Sequence, residues 1–116
     1  MTDARAFAAE WEAGWNSHDL DRIMAHYHPD IVFRSRKAVP LVGSGVLRGH
    51  RALRQYWAEA LKRQPDLKFS VRDVFEGYEM VVITYQNHRG VLAAETLHFG
   101  ADHLVIAASA CHGDTP

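Results

Sequence analysis

The sequence predicts an α+β fold in which helices pack together on one face of a mostly antiparallel sheet. In the first half of the chain, apolar side chains recur at helical spacing. In the second half they alternate as in strands, and short glycine-containing turns separate four such segments. Because short turns join antiparallel neighbours, the expected order is helix, helix, strand, helix and then a four-strand meander.

The first helix is predicted from a single apolar stripe. Phe7, Trp11 and Trp15 recur every four residues, so they share one face of a helix. Thr2 or Asp3 can cap its start, since either side chain accepts a hydrogen bond from a backbone N–H. This face is expected to be buried.

A short second helix, a strand and a third helix are expected to follow. The second helix covers residues 20–26, because Pro29 prevents its continuation, and the apolar residues of "DIVFRSR" favour a strand after it. Residues 37–49 combine glycines with apolar side chains, so we expect a long apolar loop covered by a ligand or by a partner chain. The third helix is predicted by an amphipathic stripe that consists of Leu53, Tyr56, Trp57, Ala60 and Leu61.

The composition is that of an ordinary globular protein. The chain has 116 residues, of which 47% are hydrophobic and 23% charged, so we expect one domain over residues 1–116. A formal net charge of −1 gives no electrostatic basis for nucleic-acid binding. Cys111 is the single cysteine, which excludes an internal disulfide and fits a cytoplasmic location. No apolar run approaches the roughly 20 residues of a membrane span, so no membrane association is expected.

Three strings of the sequence are informative beyond their periodicity: "AGWNSHDLDRIMAHYHPDIVF", "LRGHRALRQYW" and "YQNHRGVLAAETLHF". With the order of the elements, they resemble the nuclear transport factor 2-like superfamily, in its SnoaL-like polyketide cyclase branch, from Phe7 to His112. The resemblance implies a cone of cystatin-like architecture, in which a curved antiparallel or mixed sheet wraps around three N-terminal helices. It also implies an apolar cavity at the open end and a homodimer formed through the outer face of the sheet.

The resemblance implies a group of reactions and does not select one of them. Catalytic members include polyketide cyclases, ketosteroid isomerases, dehydratases and epoxide hydrolases. The Asp/His pair of the cyclases has no counterpart here, because the last predicted strand contains no aspartate and Asp114 lies beyond it. The tyrosine and paired aspartates of the isomerases have no counterpart either, so no catalytic residue transfers directly.

Glu95 is the strongest functional lead in the sequence. It stands in the apolar string "AAETLHF", and a buried carboxylate must find a partner or take up a proton. If Glu95 lines a cavity, desolvation raises its pKa and makes it a general acid or base near neutral pH. The alternative is that Glu95 faces solvent or pairs with Arg34, Arg72 or Arg89.

The surroundings of Glu95 depend on the hairpin that joins residues 80 and 99. A two-residue turn at Arg89-Gly90 would place Thr84 opposite Glu95, and a turn longer by one residue would shift this pairing. We expect the face that carries Glu95 to be inside, because it ends in Leu97 and Phe99. The predicted members of that face are Val82, Thr84, Gln86, His88, Val91, Ala93, Glu95, Leu97 and Phe99.

The candidate catalytic residues are therefore Glu95 and His88. Glu95 would move a proton next to a carbonyl, or protonate a leaving or epoxide oxygen. His88, Gln86 or Tyr85 would stabilise the developing charge through hydrogen bonds. The expected lining of the cavity is mainly aromatic and consists of Trp15, Tyr27, Phe33, Trp57, Thr84, Gln86 and Phe99.

No metal and no cofactor are expected. The eight histidines include no His-Glu-x-x-His spacing, and Cys111 has no second thiol beside it. The expected function is binding of a small apolar, ring-containing molecule, together with acid/base catalysis of the isomerase, cyclase or hydratase type if the protein is an enzyme. Two alternatives stay open: a non-catalytic ligand-binding module, and a scaffold whose outer sheet face forms a dimer or docks a partner protein.

Overall fold

The computed structural model describes residues 3–113, which form one six-stranded curved sheet with helices packed against it. A single 3₁₀ turn, Arg36–Ala38, follows the first strand. The helices and strands in chain order are α1 (Ala4–Ser17), α2 (Leu20–Met24), β1 (Tyr27–Ser35), α3 (Val39–Val42), β2 (Val46–Arg48), α4 (His50–Arg63), β3 (Ser70–Gly77), β4 (Met80–Gln86), β5 (Leu92–Phe99) and β6 (Val105–His112).

The sheet is mixed, with the strand order β2-β1-β6-β5-β4-β3. Strands β1 and β6 pair in parallel, and every other neighbouring pair is antiparallel. Helix α1 packs against β3 and helix α4 against β1, so the core lies between the helices and the inner face of the sheet. The predicted α+β class and the four-strand meander are confirmed.

Helix α1 forms as the apolar stripe predicts. The Asp3 carboxylate accepts a hydrogen bond from the Ala6 backbone N–H at 3.0 Å and so caps the first turn. Phe7, Trp11 and Trp15 are all buried. Thr2, the other candidate cap, lies outside the described residues.

Helices α2 and α4 also occupy the predicted segments. Helix α2 ends at Met24, two residues earlier than expected, because strand β1 already begins at Tyr27 and includes Pro29. The apolar stripe of α4 faces the core, where Leu53 and Trp57 are buried. Within residues 3–113, no helix combines the length and apolarity that crossing a membrane requires.

The stretch of residues 37–49 is more regular than the sequence predicts, and the expectation of a long loop is wrong. It contains most of the 3₁₀ turn, the one-turn helix α3 and the short strand β2. Pro40 lies in the first turn of α3, where its missing N–H removes no helical hydrogen bond, and Gly43 ends the helix with a φ of +80°. Val39 and Val42 remain exposed, so a covering ligand or partner chain stays a prediction.

The β4–β5 hairpin has a three-residue turn, and the predicted two-residue turn is wrong. Asn87 pairs with Val91, since the Asn87 N–H donates to the Val91 carbonyl oxygen at 3.0 Å. The Asn87 side-chain oxygen accepts from the backbone N–H of Arg89 at 2.9 Å and of Val91 at 3.0 Å. Gly90 takes a φ of +83°, as a three-residue turn requires at its last position. These bonds begin the turn one residue earlier than predicted.

Because the turn begins one residue earlier, the β4 residues that face inward are each one position earlier in the sequence than predicted. Glu95 lies opposite Ile83 instead of Thr84, and Ala93 lies opposite Tyr85 instead of Gln86. Strand β5 keeps its predicted face, because Ala93, Glu95, Leu97 and Phe99 are all buried. The β4 half of the predicted inner face is therefore wrong, and a different set of side chains surrounds Glu95.

Candidate functional site

Glu95 lies in the middle of the sheet and points into the protein. Only 4% of it is exposed to solvent. Its cross-strand neighbours are Ile83 on β4 and Ala110 on β6, and Ala93 and Leu97 flank it on the same face of β5. The alternation of β5 thus places the carboxyl among apolar side chains, as a strand with one face toward the core requires.

The Glu95 carboxyl has one hydrogen-bond partner among the described residues. The Tyr85 hydroxyl donates to Glu95 Oε1 at 3.3 Å, whereas Oε2 is buried without a partner. Arg34, Arg72 and Arg89 make no ion pair with Glu95 in this part of the chain. The alternative of a solvent-facing or arginine-paired Glu95 is therefore wrong.

Burial sets the protonation of this site. Desolvation raises the pKa of Glu95 to about 7, and the hydrogen bond from Tyr85 opposes that rise. Desolvation also raises the pKa of Tyr27 and of Tyr85 well above the ordinary value of 10, and the nearby Glu95 charge raises both further. Near neutral pH the carboxyl can therefore give or take a proton while both phenols stay protonated.

A pocket with a volume of about 80 Å³ adjoins Glu95; we refer to it as the Glu95 pocket. Its walls are aromatic, small apolar and polar side chains from α1, α4, four strands of the sheet, the 3₁₀ turn, the α4–β3 connection and the β4–β5 turn. The aromatic members are Trp15, Phe33, Tyr56, Trp57, Phe69 and Tyr85. The other members are Ser35, Lys37, Ala60, Gln64, Leu67, Asn87, Val91, Ala93, Glu95, Ala110 and His112.

The pocket exists because small side chains stand where larger ones would fill it. Ala110 lies opposite Glu95 and Ala93 lies two residues before it, while Ala60 faces the pocket from α4. Trp57 lines the pocket from α4, with its ring centroid 4.9 Å from that of Trp15 and 5.3 Å from that of Phe33. The rigid aromatic rings and the short alanine side chains leave a gap between them, because neither can move to fill it.

Polar residues stand at the edge of the pocket where β1 and β6 end. The parallel pairing of these strands sets Ser35 opposite Ala110, two residues before His112. The backbone N–H of Lys37 donates to the Ser35 hydroxyl oxygen at 3.3 Å, which holds Lys37 beside the pocket. Burial first, and then the charges of Lys37 and Arg36, lower the pKa of His112 to about 4, so its imidazole is neutral at pH 7.

The predicted aromatic lining is found in part. Trp15, Phe33 and Trp57 line the Glu95 pocket. Tyr27 is buried behind Trp57, with a centroid distance of 5.0 Å, and Phe99 is buried at 5.0 Å from Phe7. These last two therefore belong to the core around the pocket.

The three predicted polar neighbours of Glu95 lie elsewhere as a result of the register. The Thr84 hydroxyl hydrogen-bonds to the Asp73 side chain at 3.3 Å, on the opposite face of the sheet. The Gln86 amide donates to the Gly90 carbonyl oxygen at 3.1 Å. His88 lies in the hairpin turn, with Nε2 3.5 Å from Asp66 Oδ1, and is not among the residues that line the pocket. Tyr85, and none of these three residues, provides the polar group beside Glu95.

The polar and aromatic members of the pocket that sequence reasoning missed are Ser35, Lys37, Tyr56, Gln64, Phe69, Asn87 and His112. Two signals point toward them in retrospect. Ser35 continues the inward alternation of Ile31 and Phe33, and Tyr56 belongs to the apolar stripe of α4. Nothing local indicates Lys37 or His112, because the parallel pairing of distant strands brings them together.

No group of three or more histidine, cysteine, aspartate or glutamate side chains in residues 3–113 is arranged to hold a metal ion. His26 and His28, which flank Tyr27, face different partners. His26 lies 4.0 Å from Glu10, and His28 lies 3.5 Å from Asp102.

Comparison with known proteins identifies relatives by sequence and by fold. A sequence model of the SnoaL-like domain matches residues 8–108. A SnoaL-like protein of unknown function from Burkholderia thailandensis is 39% identical, with a TM-score of 0.92 over 98% of this chain and 99% of that one. The search of curated proteins gave no match.

More distant structures share the fold alone. An uncharacterized cystatin fold protein from Novosphingobium aromaticivorans is 16% identical, with a TM-score of 0.77 over 96% of this chain and 99% of that one. TerC, co-crystallized with polyporic acid, is also 16% identical and has a TM-score of 0.77 over 95% and 91% of the two chains. The predicted SnoaL-like resemblance and cystatin-like architecture are confirmed.

Proposed function

The chain belongs to the SnoaL-like domain family, and on this premise we propose that it binds a small, mainly apolar, ring-containing molecule in the Glu95 pocket. We further propose that Glu95 moves a proton on that molecule without a cofactor. The reaction class would be that of an isomerase, a cyclase or a hydratase, in which a proton is moved next to a carbonyl or onto an oxygen.

One observation supports this proposal above the others: three residues that line the pocket carry polar atoms with no hydrogen-bond partner among residues 3–113. They are Glu95 Oε2, Trp15 Nε1 and His112 Nδ1, and all three are buried. Buried polar groups are normally paired, since each unpaired group costs about 1–3 kcal/mol. A ligand that supplied a donor and an acceptor inside the pocket would remove that cost.

The size of the pocket limits the ligand. A volume of about 80 Å³ is well below the roughly 300–1,000 Å³ of sites that enclose a drug-sized molecule. The pocket therefore suits one ring or a short branched segment, and a larger ligand would extend outward past Ser35 and Lys37. The flat aromatic walls favour an unsaturated or aromatic ring, which stacks on Trp15 or Trp57.

The proposed chemistry divides between three side chains. Tyr85 holds Glu95 Oε1, which leaves Oε2 free to accept a proton from a carbon next to a carbonyl group. The unpaired indole N–H of Trp15 is available to donate to the enolate oxygen that forms. Reprotonation by the Glu95 carboxylic acid at another carbon completes an isomerisation. In a cyclisation, the enolate carbon attacks a second carbonyl, and the alkoxide that forms takes the proton back from Glu95. His88 has no part in this scheme.

We expect the protein to speed hydrogen–deuterium exchange at the carbon next to the carbonyl of cyclohexanone, a one-ring probe. Glu95→Gln should lower the protein-dependent rate by about 10²-fold or more, because it removes the proton acceptor. Ala110→Leu should lower it as well by filling the pocket, whereas Ala94→Leu, on the outer face of the same strand as Glu95, should not. Proton NMR in D₂O measures each rate.

An exchange rate that is equal for the wild type and for Glu95→Gln would contradict the catalytic role of Glu95. If the wild type bound the ketone without accelerating exchange, the non-catalytic ligand-binding module would be the better account. In that case, Ala110→Leu should still abolish binding, and Ala94→Leu should leave it unchanged.

A homodimer formed through the outer face of the sheet is a second proposal, and exposed apolar side chains support it. Phe75 on β3 is 59% exposed and Leu92 on β5 is 51% exposed. Both side chains lie on the outer face of the sheet, opposite Val82 and Gln86 of β4, and exposed apolar surface is a feature of interaction sites. Light scattering should therefore give twice the 13.1 kDa chain mass at micromolar concentration, and Phe75→Glu should give the monomer mass. A wild-type mass of 13.1 kDa would contradict the dimer.

We also propose the cytoplasm as the location of the protein. Its one cysteine, Cys111, is free, which fits a reducing compartment.

A further inference from the structure

One cationic side chain lies at the edge of the Glu95 pocket and two more lie near it; we refer to Arg36, Lys37 and Arg89 as the basic rim. Lys37 lines the pocket itself. The Arg36 guanidinium donates to the carbonyl oxygens of His112 at 3.2 Å and of Gly113 at 3.5 Å, so it is fixed against the end of β6. Arg89 belongs to the β4–β5 turn and lies close enough to act on the charge of Lys37.

The basic rim has no acidic partner among residues 3–113. Arg22, Arg54 and Arg63 each pair with a carboxylate elsewhere on the surface, whereas none of the three rim residues has a carboxylate oxygen within 4.0 Å. The one carboxyl that lines the pocket is Glu95, which is held by Tyr85 and is about half protonated near neutral pH. The rim is therefore an uncompensated positive region at the entrance of a mostly apolar hollow.

Burial and the neighbouring positive charges both disfavour the charged form of Lys37. The pKa of Lys37 is lowered first by burial and then by the charges of Arg36 and Arg89. His112, beside Lys37, is neutral, and its Nδ1 is buried without a hydrogen-bond partner among residues 3–113. A negatively charged group placed between these side chains would relieve the repulsion and could take a hydrogen bond from Lys37 and from His112.

From this arrangement we propose that the ligand of the Glu95 pocket is an organic anion, whose carboxylate or acidic enolate binds at the basic rim while its ring enters the pocket. This inference rests on the proposed ligand binding and adds the charge class of the ligand. The geometry then directs the uncharged end of the molecule toward Glu95 and Tyr85. Lys37 would be the main specificity residue, because it alone of the three lines the pocket.

The proposal is tested with two probes that share a ring and differ in charge, benzoate and benzyl alcohol. Binding is followed through the indole N–H signals of Trp15 and Trp57 in ¹H–¹⁵N NMR titrations. We expect benzoate to bind at least about 10-fold more tightly than benzyl alcohol, as a charged hydrogen bond allows. Raising the salt concentration from about 0.02 M to about 0.5 M should weaken the binding of benzoate alone.

Lys37→Met keeps the apolar stem and removes the charge, so it should lower the affinity for benzoate about 10-fold and leave that for benzyl alcohol unchanged. Lys37→Arg should keep the preference for benzoate. Lys62→Met, on the exposed side of α4, is the matched control and should change neither affinity. Thermal unfolding of each variant establishes that the comparison is made on folded protein.

The outcomes separate this inference from the function on which it rests. Equal affinities for the two probes, with no effect of Lys37→Met, would overturn the anion proposal and leave binding in the pocket intact. If neither probe shifted the signals of Trp15 and Trp57, both proposals would fail. If benzoate bound and Lys62→Met weakened it as much as Lys37→Met, general surface attraction would replace the rim as the explanation.

Discussion

Replacing Trp57 by alanine is expected to lower the free energy of unfolding by about 3–5 kcal/mol, the usual cost of truncating a buried tryptophan. Trp57 is 3% exposed, and its ring lies within 5.3 Å, centroid to centroid, of Trp15, Tyr27 and Phe33. Its removal joins the space of the side chain to the existing pocket, so surrounding atoms cannot collapse to fill it. Urea unfolding followed by circular dichroism measures the loss.

The matched aromatic control is Tyr78→Ala. Tyr78 is 88% exposed in the β3–β4 turn, so its removal should change the free energy of unfolding by no more than about 0.5 kcal/mol. A loss below about 1.5 kcal/mol for Trp57→Ala would mean that Trp57 is not a wall of a packed interior. The aromatic lining of the pocket would then need a different account.

Glu95→Gln is expected to make the protein more stable than the wild type at alkaline pH, by about 3 kcal/mol. The pKa of Glu95 is raised from 4.5 to about 7 in the folded state, and each pKa unit corresponds to about 1.4 kcal/mol. Below pH 4.5 the carboxyl is protonated in both the folded and the unfolded states, so folding has no ionisation cost there. As the pH rises toward 7, the unfolded state loses a proton that the folded state retains, and wild-type stability falls.

The difference between the two proteins should therefore grow between about pH 4.5 and pH 7 and stay constant above that range. Unfolding by urea at several pH values measures it, and effects of other titrating groups cancel in the difference. Glu76→Gln, which replaces an exposed carboxyl on β3, is the matched control for the substitution itself. A difference that does not change with pH would show that Glu95 ionises as easily inside the protein as outside.

The helices and the meander could be predicted because their signals are local. The stripe of Phe7, Trp11 and Trp15 is determined by helical spacing alone, and so is that of α4. The alternation of β5 likewise placed Glu95 on a buried face without knowledge of its neighbours. In each case the apolar pattern and the final burial have the same period, so no long-range information was needed.

The partners of Glu95 could not be predicted with the same rules. A two-residue and a three-residue turn both fit the string "NHRG", and they place opposite faces of β4 beside Glu95. The choice is made by the Asn87 side chain, which binds two backbone N–H groups and begins the turn one residue earlier. The two hydrogen bonds of one side chain thus accompany the register in which Ile83, and not Thr84, lies opposite Glu95 and Tyr85 reaches the carboxyl.

The polar edge of the pocket depends on contacts between distant parts of the chain. Ser35 and His112 are 77 positions apart in sequence and approach each other through the parallel pairing of β1 and β6, which no short-range pattern specifies. The basic rim also needs the 3₁₀ turn after β1, within a stretch whose composition indicated only a loop. The charge class proposed for the ligand is therefore a property of the fold and not of any motif.

The titration of the Glu95 carboxyl carbon by ¹³C NMR tests the central claim most directly, since the proposed chemistry requires a carboxyl held away from water. Its signal is assigned by its disappearance in Glu95→Gln. A midpoint near pH 7 is predicted. A midpoint at or below the ordinary value of 4.5 would contradict the account, because it would mean that the carboxyl is solvated or paired with a cation.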